Sequence, residues 1–218
     1  MEYGDIILSS RLFRGVSDEE LSSMLGCLGA KRKSFSKGER IYSSGDVISA
    51  IGMVLCGKVH IESADYWGSV SLIAECVPSD IFGEVCGVMG EIPIDFDVVA
   101  ESDCEILFLT AGKILCSCPS ACPFHMRVTE NLAAALGEKT LALASKVMHL
   151  SKRTIREKVL SYLSEQSKRV GCNEFDIPFN RQQLADYLCT ERSALSAELG
   201  RLRDEGIIEF KKNHFVLL

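Results

Sequence analysis

The sequence predicts an α+β chain in three parts. Residues 1–115 read as an antiparallel β-barrel, 116–150 as a linker and long helix, and 151–218 as a small helical domain closed by a β-hairpin. Three observations carry this. Between residues 31 and 109, short apolar runs (IGMVLC, KVHIES, VSLIAE, FDVVAE, CEILFL) alternate with glycines such as Gly38, Gly45, Gly57, Gly68 and Gly83, the pattern of short strands and tight turns. From about Pro123 to Leu150 one uninterrupted helical pattern runs. Residues 180–203, NRQQLADYLCTERSALSAELGRLR, then give two short helices around a turn at Cys189-Thr190.

Ahead of the barrel, residues 5–29 read as one or two short helices. Ser17 and Glu20 have capping-box spacing before Leu21, Met24, Leu25 and Leu28. Pro123 suits the first turn of the long helix, where its missing N–H would be unpaired anyway. Along that helix Ala133, Leu136, Thr140, Leu143, Val147 and Leu150 follow alternating steps of three and four, a heptad seam suited to a two-stranded coiled coil. Val128, Leu132 and Leu141 are left to face the barrel. A helix lying wholly on its own barrel is the alternative. A new helix starts at Ser151, with Ile155, Val159, Leu160 and Leu163 as its core face, and ends at Arg169-Val170-Gly171.

In the two short helices, Leu184, Ala185 and Leu188 give the first an apolar face. Leu195, Leu199 and Leu202 give the second its buried stripe. Glu191, Arg192, Ser193, Ser196 and Ala197 are left on the start and outer face of the second helix, the presentation that fits a DNA major groove. Residues 207–210 and 214–217 read as strands around the basic turn Lys211-Lys212-Asn213. A helix-turn-helix followed by a basic hairpin is a winged helix.

Charge supports this division. The net charge is −6, but from Ser151 onward 12 Lys and Arg face 10 Asp and Glu, a balance of +2. Residues 1–150 hold 12 against 20, a balance of −8. That is the asymmetry of a basic reader joined to an acidic sensor. Lys152, Arg153 and Arg156 cluster at one helix start, and Lys211 and Lys212 sit in the hairpin. No apolar run approaches the roughly 20 residues of a membrane span. MEYGDIILSS lacks the basic flank and long apolar core of a signal peptide. Both point to the cytoplasm and away from a membrane. Ten cysteines then read as buried thiols, metal ligands or redox sensors rather than a disulfide framework. No Ser/His/Asp arrangement, phosphate-cradling glycine loop or paired carboxylates at catalytic spacing occurs, so the chain does not read as an enzyme.

In order and spacing, these motifs resemble the CRP/FNR family of bacterial transcription regulators. Lys37-Gly38, Gly45-Asp46 and Gly57-Lys58-Val59 look like its barrel turns, and Phe82-Gly83-Glu84 like its phosphate-binding Gly-Glu. Arg181-Gln182, Leu184-Ala185, Arg192-Ser193, Leu195-Ser196, Leu199 and Glu205-Gly206-Ile207-Ile208 look like its reader. The resemblance implies a jelly-roll, cyclic-nucleotide-binding-like barrel, a dimerisation helix and a winged helix-turn-helix. It further implies a homodimer on a roughly palindromic double-stranded DNA site, and contact with RNA polymerase. Arg192 takes the place of an arginine that contacts base or phosphate. Ser193 stands where the best-known members have a glutamate, and Ala197 where many have arginine. Asn180 caps the first helix of the motif, Arg181 contacts phosphate, and Lys211 and Lys212 extend the contact.

Members that bind cyclic nucleotide carry Arg-Ser or Arg-Thr about ten residues after the Gly-Glu. Here Gly83 and Glu84 are followed by Ile94 and Asp95, with Asp97 close by, and no Arg or Lys lies between Lys58 and Lys113. A phosphate placed beside Asp95 without a cation is repelled. The expected effector is therefore not cyclic AMP or cyclic GMP bound in the usual way. The pocket either holds another ligand or is vestigial. Cys116, Cys118, Cys122 and His125 form a second candidate, a metal or redox site built from thiolate and imidazole donors. Free cysteines are the alternative. The remaining seven, Cys27, Cys56, Cys76, Cys86, Cys104, Cys172 and Cys189, read as small core residues. No cofactor is identified by the sequence. A non-transcriptional cyclic-nucleotide-binding module remains as a further alternative, weakened by the winged helix and the missing arginine.

Overall fold

The computed structural model describes residues 2–68, 70–116 and 123–218. Its contacts form two compact units, residues 1–137 and 138–218.

The first unit opens with helix α1 (Gly4–Ser9), a single 3-10 turn (Arg11–Phe13) and helix α2 (Asp18–Cys27). The Ser17/Glu20 capping box forms as expected: the Ser17 hydroxyl accepts from the Glu20 N–H, and the Glu20 carboxylate from the Ser17 N–H. Eight strands follow: β1 (Lys31–Phe35), β2 (Arg40–Tyr42), β3 (Ala50–Cys56), β4 (Val59–Ala64), β5 (Val70–Cys76), β6 (Ile81–Phe82), β7 (Asp97–Ala100) and β8 (Cys104–Thr110). Helix α3 (Glu84–Met89) lies between β6 and β7, and α4 (Ala111–Leu115) follows β8. All pairings are antiparallel. One four-stranded sheet runs β1-β8-β3-β6 and the other β2-β7-β4-β5. This is the predicted jelly-roll-like barrel.

Strand β3 explains its own near-continuous apolar sequence, because both of its faces are covered. Ile51, Met53 and Leu55 enter a core with Leu12, Phe13, Leu21 and Leu28 from the N-terminal segment, and with Val128 and Leu132. Val54 faces the opposite core, between the sheets, with Val59, Phe82, Val98, Ala100 and Ile106. Gly52 sits directly opposite Phe82 in the ladder. A Cβ on Gly52 would lie 2.2 Å from the Phe82 ring, so only glycine admits the aromatic there. Strands β1 and β2 have no apolar run in sequence, and β6, though apolar, is only two residues long. β1 reads KRKSF, exposed except at Phe35, and forms a sheet edge where charge discourages pairing with another chain.

Helix α5 (Pro123–Leu150) has the predicted limits. Its first half belongs to the first unit and its second half to the other.

In the second unit, α6 (Ile155–Val170) begins four residues later than expected. The Thr154/Glu157 capping box sets that start, while the Ser151 hydroxyl bonds back to the Met148 carbonyl and closes α5. Gly171, with a left-handed backbone, ends α6. A short strand, β9 (Glu174–Asp176), follows; its three residues are too few for a period-two signal in sequence. Helices α7 (Arg181–Tyr187) and α8 (Arg192–Asp204) and strands β10 (Ile208–Lys211) and β11 (His214–Leu217) complete the winged helix, in sheet order β10-β11-β9. Leu195, Leu199 and Leu202 are fully buried among Val159, Leu163, Leu184, Leu188, Ile208 and Phe215. Each contributes about 1.5–3 kcal/mol of transfer free energy.

The expectation of seven core cysteines needs correcting. Cys76 and Cys104 are buried, Cys56 and Cys86 are half-buried, and Cys27, Cys172 and Cys189 are exposed. An apolar neighbourhood in sequence does not fix which face of a strand or turn a thiol takes. Among the described residues no helix is long and apolar enough to cross a membrane.

Gly52→Ala should destabilise the barrel by about 1–3 kcal/mol through overpacking against Phe82. Gly26→Ala, where nothing lies within 4 Å of the added methyl, should gain about 0.5–1 kcal/mol of helix propensity instead. Urea unfolding of both variants checks this, and a Gly52→Ala variant as stable as the parent contradicts it.

Candidate nucleic-acid interface

Burial of one side of α8 decides what the other side presents. With Leu195, Leu199 and Leu202 inward, Arg192, Ser193, Ser196 and Ala197 are all exposed on the opposite side. Glu191 is the extended residue that precedes the helix, also exposed. The Ser196 hydroxyl donates to the Arg192 carbonyl at 2.8 Å, which uses its proton and leaves its oxygen able to accept. The Arg192 guanidinium is the long cation of this surface.

The helix before it is fixed by its cap. Asn180 Oδ1 accepts from the Gln183 N–H, and Gln183 Oε1 accepts from the Asn180 N–H, a reciprocal box that bears out the capping role read for Asn180. The turn between the helices passes through Cys189 in a left-handed conformation (φ 49°) and closes with the Thr190 N–H on the Ala185 carbonyl. Lys158 Nζ donates to the Leu188 carbonyl, holding the same turn.

Arg181 has a second task besides any phosphate contact. Its guanidinium donates to the Lys212 carbonyl and lies over the rings of Phe210 and Phe215, 5.1 and 5.8 Å from their centroids. Partial burial lowers its pKa. It ties the start of α7 to the hairpin, whose tip is the two-residue turn Lys212-Asn213 between the paired Lys211 and His214. Lys211 and Lys212 are exposed, and Lys212 is left-handed (φ 57°). A groove of about 480 Å³ lies between Asn180, Arg181 and Gln183 on one side and Lys212 and Asn213 on the other.

The cluster at the start of α6 divides differently from its sequence. Arg156 forms a two-pronged pair with Glu205 and lies 3.6 Å from Glu198. These hydrogen bonds hold Glu205 below the ordinary carboxylate range. Arg156 is therefore committed inside the reader, while Lys152 and Arg153 remain exposed.

In the sensor, Gly83 adopts a left-handed conformation (φ 72°) at the head of α3, and Glu84, the first residue of that helix, is buried. Ile94 is buried too. Its N–H donates to the Asp46 carbonyl and its carbonyl accepts from Gly45. Asp95 is exposed. Burial raises the Cys86 pKa, and the charges of Asp95 and then Glu84 raise it further, so these three groups share one neighbourhood. Asp97 alternates with the buried Val98 and Ala100 and so leaves the inter-sheet core. It accepts from the Ser44 N–H and lies 3.6 Å from the Arg40 guanidinium. Arg40 is a cation that a scan between Lys58 and Lys113 misses. Ladder pairing of β2 with β7 brings it there, and no local sequence signal could.

The cysteine cluster is only partly visible, because Cys118 and Cys122 lie outside the described residues. Cys116 is exposed and ends α4, its N–H on the Gly112 carbonyl. His125 is buried, with Nε2 at the Lys113 carbonyl, so that nitrogen is already occupied. Among the described residues no group of three or more His, Cys, Asp or Glu could hold a metal ion.

The seam of α5 is split by burial. Val128, Leu132 and Ala135 enter the first unit's core, and Leu136 packs against its margin. Ala133, Thr140, Leu143 and Val147 are exposed, and Leu150 is half-buried. Leu141 was expected to face the barrel but is 70% exposed. At 100° per residue it lies about 220° around the helix from Val128.

A model of the cyclic nucleotide-binding domain matches residues 32–115, and a model of the Crp-like helix-turn-helix domain matches residues 157–218. The cyclic AMP receptor protein of Thermus thermophilus is 27% identical over 199 residues, 91% of this chain and 88% of that protein. The transcriptional activator protein FnrL of Cereibacter sphaeroides is 25% identical over 201 residues, 85% of this chain and 75% of that protein. The crystal structure of the Thermus thermophilus catabolite activator protein superposes with a TM-score of 0.52 at 25% identity, covering 96% of this chain and 94% of that one. With a jelly-roll sensor, a long helix and a winged reader in this order, the chain belongs to the CRP/FNR family of transcription regulators.

Proposed function

We propose that this regulator works as a homodimer, with α8 of each copy in the major groove of one half of a roughly palindromic site, and that its effector is not cyclic AMP. The exposed face of α8 carries the reading: Arg192 stands over a fully buried leucine stripe, with the Lys211-Lys212 wing beside it. Asn180, Arg181, Lys211 and Lys212 supply backbone contacts. Glu191, Arg192, Ser193, Ser196 and Ala197 face the bases. Arginine is the one residue of that face able to grip guanine O6 and N7 bidentately. Contact with RNA polymerase would follow from the family. A cytoplasmic location would accompany this role on DNA.

On the sensor side, the support is chemical. The position aligned with the family's phosphate-binding arginine is Ile94, which is buried, and its neighbour Asp95 repels an anion. Arg40, the nearby cation, is already paired with Asp97. These residues favour a neutral or cationic effector over a cyclic phosphate. A metal- or redox-sensing role for Cys116, Cys118, Cys122 and His125 gains no support from His125, whose Nε2 is engaged with a carbonyl.

Three measurements test these readings. Fluorescence anisotropy on a duplex selected from a random pool should give binding that weakens steeply with salt. Arg192→Ala should lose about 1–3 kcal/mol and relax preference at one base pair. Lys212→Ala should weaken all sequences alike and reduce the salt slope by about 1. Equal losses on all sequences from both variants would remove the base-reading role of Arg192. For the sensor, calorimetric titration with cyclic AMP should give no binding in the micromolar range; micromolar affinity refutes that statement. For assembly, Leu143→Glu with Val147→Glu should convert dimer to monomer in sedimentation equilibrium. A dimer that survives both charges places the interface elsewhere.

A further inference from the structure

The last turn of α5 contains one buried polar side chain in an otherwise uncovered stretch. Within residues 138–150, Leu143, Val147 and Met148 are exposed, whereas His149 is 2% exposed. Its Nδ1 lies 2.9 Å from the Ser161 hydroxyl and its Nε2 2.9 Å from Glu165 Oε2, both on α6. The second contact is a close approach without hydrogen-bond alignment. The ring meets Tyr162 of α6 edge-on at 5.8 Å and Tyr187 of α7 at 6.2 Å. Tyr187 in turn packs on Phe179 at 5.0 Å and carries Lys146 Nζ over its ring at 5.5 Å. One imidazole therefore touches the helix that enters the reader and the first helix of the DNA-binding pair.

An apolar residue at this position would bury a comparable area, but it would leave the Ser161 hydroxyl and the Glu165 carboxylate facing a partner without polar atoms. Imidazole instead presents two in-plane polar atoms, one to Ser161 and one to Glu165. Two directional contacts add to packing a preferred rotation of α5 about its own axis, where apolar contacts are non-directional. We propose that His149 is a positioning residue that fixes the angle at which α5 joins the reader, and so sets the spacing between the two recognition helices of the dimer. This rests on the DNA-binding and dimer readings above. Two half-sites on one face of DNA sit about one helical turn, 10–10.5 base pairs, apart. A reader free to turn on its helix would tolerate other spacings.

The test uses the full chain and duplexes carrying two selected half-sites at the preferred spacing and at one or two base pairs more or less. A duplex with a single half-site is the control. The parent protein should prefer one spacing by about fivefold or more, the lower end of coupling between sites. His149→Phe keeps an aromatic ring without the polar atoms. It should flatten that preference to about twofold or less while single half-site affinity stays within about twofold, below the coupling range. His149→Gln, which keeps polar atoms at the end of the side chain, should recover part of the preference. Should His149→Phe fail to fold, Ser161→Ala and Glu165→Gln leave the ring in place and should flatten the same profile. An unchanged spacing profile in these variants overturns the inference. So does an equal loss on every duplex including the single half-site, which marks a purely structural role. A parent protein that binds no duplex overturns the DNA reading itself, and one that binds half-sites without any spacing preference overturns the dimer reading.

Discussion

One continuous helix has to serve two cores. The first half of α5 gives Val128, Leu132 and Ala135 to the core of residues 1–137, and its last turn gives His149 to the core of residues 138–218. Between these anchors the helix has no buried side chain, yet Leu141, Leu143, Val147 and Met148 are apolar and exposed. A solvated helix of this kind is expected to be polar all round unless something covers it. The chain thus keeps its helix attached at both ends and offers an apolar middle, which is the physical basis for reading the middle as an interface between copies.

The reader's electrostatics follow the same economy of commitment. By count, residues 151–218 are barely basic, but the count hides which cations are spent internally. Arg156 is held by Glu205 and Glu198, Arg201 by Glu198, and Lys158 by the Leu188 carbonyl. Arg181 is half spent on Phe210, Phe215 and the Lys212 carbonyl. Arg192 at the head of α8 and Lys211 and Lys212 in the wing are exposed. Internal pairing therefore sharpens a weak overall charge into a localised one, and phosphate affinity depends on local charge.

Legibility in the sequence tracked how local each signal was. Capping boxes at Ser17 and Asn180 and the limits of α5 depend on residues a few positions apart, and all three agree with the structure. The leucine stripe of α8 was equally plain because burial of one helix face leaves a period. Strands β1, β2, β6 and β9 were not, since they are short, exposed on one side or charged, and are held by ladder partners far away in sequence. Arg40 at Asp97 is the clearest example in the sensor: 57 residues separate them, and only the β2–β7 pairing joins them. Cysteine burial is illegible for the same reason, because apolar neighbours in sequence do not fix the face a thiol takes. His149 has no sequence signature, as a lone histidine near a helix end; its partners lie one and two helices further on.

On the proposed alignment, the sensor differs from the family members that bind cyclic nucleotide by more than a lost charge. Had only the arginine gone, a polar cavity would remain into which a single substitution could return a cation. Instead Ile94 is 3% exposed and its backbone is bonded in both directions to the Gly45-Asp46 turn. On that alignment the arginine's place is a packing position. A guanidinium placed there would have to leave water, at a cost of several kcal/mol unless paired, and the adjacent carboxylate of Asp95 is exposed rather than turned inward. The neighbouring cation, Arg40, is turned to Asp97. Phe82, immediately before the Gly83-Glu84 pair, is pressed against the bare backbone of Gly52 and meets Tyr42 edge-on, so aromatic packing reaches the border of the same segment. On the proposed alignment, apolar packing and the Arg40–Asp97 pair stand where the cyclic-nucleotide-binding members place a free cation, which favours the proposed reading of a sensor built around different chemistry over one disabled by a single replacement.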